Sequence, residues 1–120
     1  LDNTDEIEGA ALETLFLQEL KAVNDYFDFG YNIYYWRTSH NVEVDFVIYG
    51  PPGLKAFEIK RTTRFSERLL KGLKAFSKDY PMAETYLVYC GERKLKYDNI
   101  NVVPVTEILK DLPDILRKKR

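Results

Sequence analysis

The sequence predicts an α/β (α+β) domain in which helices flank one mixed sheet. Three observations predict it. An amphipathic helical segment opens the chain, three short β-type runs separated by turn residues follow, and a second helix then leads directly into an apolar β run. Helical spacing, period-two alternation and turn punctuation are each set by local sterics, so they are readable before any contact is known. A strand, a helix and another strand in succession form a crossover unit, which requires a parallel pair. The predicted order is α-β-β-β-α-β-β-α.

Residues 5–28 read as the first helix. Leu12, Leu15, Phe16, Leu20 and Val23 recur at helical spacing, and Thr4, Asp5 and Glu6 place a cap and acids at the positive end of the helix dipole. Two carboxylates interrupt that stripe. Glu19 falls in the middle of the apolar arc and Glu13 lies between Leu20 and Leu17, and an ionised carboxylate is costly to bury unless paired.

Residues 31–38 are aromatic and β-branched and read as a strand, with Ser39-His40-Asn41 as a turn. Residues 42–49 alternate, with Val42, Val44, Phe46 and Ile48 on one face and Glu43, Asp45, Val47 and Tyr49 on the other. Gly50-Pro51-Pro52-Gly53 reverses the chain, because proline supplies no ladder donor. Residues 54–61 continue as a strand, with Phe57 and Ile59 on one face and Ala56, Glu58 and Lys60 on the other. A second helix spans 66–79, capped by Ser66, with Leu69, Leu70, Leu73 and Phe76 inward and Lys71, Lys74 and Lys78 sharing another face. Residues 85–90 make a buried strand and Ile100–Val103 a short fifth one; Thr106–Lys110 and Asp114–Lys119 are expected to be helical.

The 120 residues suffice for one domain, taken as 1–120, with 112–120 as a basic tail. Starting at Leu1, the chain is expected to be a C-terminal piece of something longer. One cysteine excludes an internal disulfide, and Cys90 with His40 alone makes a nitrogen- and sulfur-ligated zinc site unfavourable. Cys90 and Met82 are expected at core or edge positions. No apolar run approaches the roughly 20 residues that span a bilayer, and no signal pattern opens the chain, so a cytoplasmic location is expected.

Net charge is −1, but it is unevenly distributed. Residues 1–28 carry a net −7, whereas residues 55–78 carry +6 through Lys55, Lys60, Arg61, Arg64, Arg68, Lys71, Lys74 and Lys78 against Glu58 and Glu67, and Arg117 to Arg120 add +4. A basic block on a nearly neutral chain suits an anionic partner on one side.

The chemistry-bearing segment is Val44-Asp45-Phe46-Val47-Ile48 with Phe57-Glu58-Ile59-Lys60. A hairpin closed by Gly50–Gly53 sets Tyr49 opposite Leu54, Asp45 opposite Glu58 and Glu43 opposite Lys60, all four charges on one face. Like charges directly opposite destabilise a sheet. A hard divalent cation, Mg²⁺ or Mn²⁺, would relieve the repulsion, held by Asp45, Glu58 and a third carboxylate, Glu13 or Glu19, from the first helix. Lys60 would orient water or stabilise phosphate charge, and Arg64, Arg68, Lys71, Lys74 and Lys78 would hold the phosphates of DNA or RNA.

These residues resemble the PD-(D/E)XK superfamily, the restriction-endonuclease-like fold with its αβββαβ core. Asp45 stands at that family's first acid and Glu58-Ile59-Lys60 at its (D/E)xK, while Gly9-Ala10-Ala11-Leu12-Glu13 is similar to the GxxxE of its resolvase-like branch. The resemblance selects Glu13, with Glu19 in reserve, and implies Mg²⁺-dependent phosphodiester hydrolysis. The chain as a whole resembles the uncharacterised domain that follows the P-loop module in predicted bacterial and archaeal AAA-type ATPases. Gly9 through Leu20, Tyr35 to Thr38, Glu43 to Ile48, Phe57 to Lys60 and Lys71 to Phe76 carry that likeness. It implies the ATPase half of a longer chain as a partner. No Gly-rich loop ending in Gly-Lys-Ser/Thr occurs here, so no ATP site is expected in this piece. The alternative expectation is a non-catalytic module with a vestigial site that binds nucleic acid or docks on its ATPase. A third is a protein-interaction domain using the aromatic strand Tyr31 to Trp36.

Overall fold

The computed structural model describes residues 3–119, with side chains from residue 8 onward. Its elements are α1 (Asn3–Phe27), β1 (Asn32–Arg37), β2 (Glu43–Gly50), β3 (Gly53–Lys60), a 3-10 turn (Glu67–Leu70), α2 (Lys71–Asp79), β4 (Glu84–Tyr89), β5 (Leu95–Tyr97), β6 (Ile100–Pro104) and α3 (Val105–Arg117). The six strands form one mixed sheet ordered β1-β2-β3-β4-β6-β5. β1, β2 and β3 run antiparallel, β3-β4-β6 are parallel, and β5 returns antiparallel at the far edge. The α/β expectation and the parallel β3-α2-β4 crossover both hold.

Each face of the sheet carries its own core. On one, Phe16 and Leu20 of α1 and Ile108, Leu112 and Leu116 of α3 cover Ile48, Phe57, Ile59, Tyr86, Val88 and Val103. On the other, Leu70, Leu73 and Phe76 cover Val44, Val47, Ala56, Leu87 and Val102. β4 is buried along its whole length because it is sandwiched centrally, as its apolar composition suggests. The Phe16 ring lies tilted at 5.3 Å from Phe57, which stacks at 5.1 Å on Tyr86, so one aromatic column ties α1 to β3 and β4.

Several local expectations are corrected. β5 is an added strand. The second helix begins as a 3-10 turn, and although Ser66 stands at its cap with extended backbone, its hydroxyl makes no capping bond. The two short C-terminal helices are one: α3 passes through Pro113 because Ile108, Leu112 and Leu116, one turn apart, are all fully buried, and that packing outweighs the lost N–H. Residues 112–117 of the expected basic tail therefore belong to this helix. Met82 is exposed and Cys90 half-buried. Among the described residues, no helix is long and apolar enough to cross a membrane.

Candidate active site

The acids gather where β2 and β3 part. The hairpin has the expected register, with Tyr49 opposite Leu54 and Gly50 opposite Gly53. The ladder ends at Phe46 opposite Phe57, however, and the expected pairs Asp45–Glu58 and Glu43–Lys60 do not form. A β-bulge is the cause. Tyr34 pairs with Val47 and Trp36 with Val44, so Asp45 and Phe46 together oppose Tyr35 alone. The extra residue breaks the predicted alternation: Val44 joins the core under α2, whereas Phe46 and Ile48 face α1.

Side chains replace the missing ladder bonds. The Asp45 N–H donates to Glu58 Oε1 at 3.0 Å, and the Ile59 N–H donates to Asp45 Oδ2 at 2.8 Å. Lys60 Nζ lies 3.2 Å from Glu58 Oε2. Two carboxylates are thereby held side by side on rigid backbone, each satisfied by the opposite strand, with one ammonium between them and solvent. This is how the sheet tolerates the like charges that pattern alone makes unfavourable.

The electrostatics follow from that crowding. Burial, then the Asp45 charge, pushes Glu58 up to about 7, against the opposing pull of Lys60 and the Asp45 N–H. Burial also raises Asp45, with the Ile59 N–H and Lys60 partly offsetting it. Glu13 on α1 is raised by burial and then by Asp45, with Lys60 opposing and Glu43 reinforcing. Glu13 therefore shares the field of Asp45 and Lys60.

α1 contributes Glu13 because its buried stripe runs Leu12, Phe16, Leu20 and Val23, with Leu15 exposed. The expected arc is rotated toward Glu13, and Glu19, expected within it, is exposed. Glu13, Lys21, Tyr34, Tyr35, Arg37, Glu43 and Asp45 line a groove of about 430 Å³ between α1 and the first two strands. Glu58 and Lys60 stand behind Asp45, outside that lining. The site lies at the carboxyl end of β3, where open α/β sheets commonly place ligands. A larger hollow of about 620 Å³ sits at the other end of the parallel strands, beside Glu84.

Of the expected phosphate-binding residues, Arg64, Arg68, Lys71 and Lys78 are exposed, on the layer opposite α1. Lys74 is engaged, 3.0 Å from Glu67 Oε2 and over the Tyr97 ring. None of the five lines the acid groove. Arg61 pairs with Glu8 of α1.

Among the described residues, no group of three or more histidine, cysteine or carboxylate side chains converges as a metal site. The donors that are present, two adjacent carboxylates with Glu13 across the groove, fit in kind a hard cation that takes one or two carboxylates and keeps its waters.

Two functional-looking features escaped the sequence reading. Lys55 and Glu84 form a buried ion pair at 2.7 Å; the available signal was that Lys55 shares the apolar face of Phe57 and Ile59. Gly72 lies where a Cβ would collide with the Glu43 carbonyl oxygen, a close approach that nothing local announces.

Comparison with curated proteins and with solved structures finds no match. The family model described as domain of unknown function (DUF4143) matches residues 8–108, from the first turns of α1 through the whole sheet and every acid of the site, and the chain belongs to that family.

Proposed function

We propose that this is a nuclease-like domain of the PD-(D/E)XK kind, acting on phosphodiesters of DNA or RNA with Mg²⁺ or Mn²⁺, within a longer chain that carries an ATPase. The observation that supports it best is the cross-strand arrangement of Asp45, Glu58 and Lys60, with Glu13 in the same field. Asp45 and Glu58 would hold the cation, with Glu13 completing or supporting the set. A bound hard cation supplies Lewis acidity toward a phosphate oxygen and a more acidic water.

The chain's own groups do the remainder. The two backbone bonds fix both carboxylates, so little reorganisation is needed. Lys60, released from Glu58, presents a positive donor to a developing phosphate charge or orients the attacking water. The exposed Arg64, Arg68, Lys71 and Lys78 neutralise backbone phosphates, and their contribution falls with added salt.

The decisive experiment is incubation of the chain with labelled DNA and RNA in Mg²⁺ or Mn²⁺. Cleavage is expected, reduced about 100-fold or more by Asp45→Ala and by Lys60→Ala, the scale seen when one transition-state partner is removed. Cleavage unchanged in both variants overturns the reading.

One observation favours a second reading, a vestigial site in a binding module. The Lys60 ammonium occupies Glu58 Oε2 and offsets one carboxylate charge of the pair without a metal. That reading expects salt-sensitive nucleic-acid binding, no cleavage, and no heat of Mn²⁺ binding dependent on Asp45 or Glu58 in calorimetry.

A further inference from the structure

β1 is an outer strand, yet it displays aromatic rings where such strands usually carry charge. Tyr34 is 52% and Tyr35 68% exposed. As neighbours along a strand they face opposite sides, with Ile33 packed in the core under α1 and Trp36 in the core under α2, and both rings reach water because β1 is the outer strand of the sheet. Both tyrosines line the acid groove, and both also line an adjoining hollow of about 260 Å³ walled by Trp36, Tyr49, Phe76 and Tyr80. Their rings thus form the ridge between an apolar, aromatic hollow and the carboxylates. Tyr49 is 59% exposed and Tyr80 39%, which extends the aromatic surface away from the acids. On the acid side, Lys21 and Arg37 line the groove, and the Arg37 contact to Glu43, at 3.8 Å, is long and solvent-exposed.

We infer that this ridge is a base-stacking platform, so that the strand reaching the acid site is single-stranded nucleic acid. Resting on the proposed function, it names the substrate class of that same site. Unpaired bases present flat π-faces that stack on tyrosine and tryptophan, and such stacking is indifferent to sequence. A duplex keeps those faces inside its own stack and offers base edges and phosphates instead. Lys21 and Arg37 flank the path as phosphate partners, while Tyr49 and Tyr80 receive bases beyond the ridge. The rings are amphipathic, which lets the platform face water when empty. The competing occupant, a peptide or a second copy adding a strand to β1, would use the backbone edge of β1 and leave the ring faces of the ridge unused.

The test measures binding of labelled single-stranded DNA and RNA 12-mers and of the matching duplexes, in chelator, by fluorescence anisotropy. Emission of Trp36, the only tryptophan, is the second signal. Single strands are expected to bind at least tenfold more tightly than duplex and to quench Trp36. Tyr34→Ala and Tyr35→Ala should each weaken binding about fivefold to 100-fold, the range for losing one stacked base. Tyr35→Trp should retain it, and Tyr26→Ala, at an exposed ring of α1, should change nothing. Equal affinity for duplex overturns the inference, as does full affinity in both alanine variants. Concentration-dependent dimerisation without nucleic-acid binding also overturns it and assigns β1 to a contact between copies. Single-strand binding in chelator, with no cleavage once Mg²⁺ or Mn²⁺ is supplied, sinks the nuclease reading alone. Cleavage unaffected by the tyrosine variants sinks this inference alone.

Discussion

Glu58 stands on an apolar strand between Phe57 and Ile59, with its carboxylate almost wholly out of water. Its elevation to about 7 fixes a pH dependence with a definite sign. Between the ordinary carboxylate range and pH 7, the folded protein keeps a proton that the unfolded chain has released. Folding is therefore favoured toward the acid end of that window, its contribution falls as pH rises through it, and the loss is complete above 7. In chelator, Glu58→Gln should remove this component and be more stable than the parent at pH 8 by up to about 3 kcal/mol, at 1.36 kcal/mol per pKa unit. The amide oxygen still accepts the Asp45 N–H. Urea unfolding at pH 5.5 and pH 8 checks it, and an identical pH dependence in the variant contradicts it. Asp45, Glu58 and Lys60 are legible from residue type and spacing, because a carboxylate on an apolar strand is conspicuous, whereas Glu13 is preferred to Glu19 only through the resemblance to GxxxE. The physical reason Glu13 and not Glu19 reaches the groove is the rotation of α1, which depends on what the helix packs against.

At the scale of elements, the bulge in β2 decides the site. It turns Val44 toward α2 and opens the hairpin at Asp45, and α2 presses closely enough on that strand that Gly72 leaves no room for a Cβ beside the Glu43 carbonyl. Gly72→Ala must displace backbone two residues before Asp45 and should destabilise the fold by about 1–3 kcal/mol. Gly9→Ala is the contrast. Nothing lies within 4 Å of the added methyl, so the substitution should stabilise α1 by about 0.5–1 kcal/mol through helix propensity alone. Thermal unfolding of the two variants should show opposite shifts; shifts of the same sign refute the packing argument. Element types and most boundaries were legible because each depends on its own few residues. The bulge was not, since strict alternation fitted residues 42–49 equally well, and neither was the union of the C-terminal helices across Pro113.

The whole molecule is closed by a polar lock at the end of the sheet opposite the acids. Lys55 Nζ, fully buried, donates to Glu84 Oε1 at 2.7 Å and to the Lys118 carbonyl at 2.9 Å. The Tyr31 hydroxyl donates to the Leu116 carbonyl at 2.6 Å, and Asn24 clasps the Tyr31 backbone at 2.9 and 3.0 Å. The last carbonyls of α3, which have no intrahelical donors, are thus satisfied from β3 and from the chain before β1. Removing Lys55 takes the 2.7 Å pair from the buried Glu84 carboxylate and leaves it the longer, solvent-exposed Lys118 contact at 3.7 Å, so Lys55→Ala should cost up to about 3–5 kcal/mol. The Lys55→Met, Glu84→Gln double variant, with no charge left to bury, should recover much of that. Denaturant titration distinguishes the two, and equal losses would show that shape rather than charge is at stake.

By itself the sequence determined the α/β class, the order of its principal elements, the parallel crossover, the hairpin register from the turn as far as Phe46 and the strand acids and lysine that gather. All of these rest on periodicity, turn chemistry and residue type, which act over a few neighbours. Only the tertiary structure decided that β2 bulges, that Glu13 faces Asp45 while Glu19 faces water, that Tyr34 and Tyr35 form an exposed ridge, and that Lys55 is buried with Glu84. Those outcomes depend on competition between surfaces far apart in sequence, where a fraction of a helical turn or one inserted residue decides which side chain reaches the site.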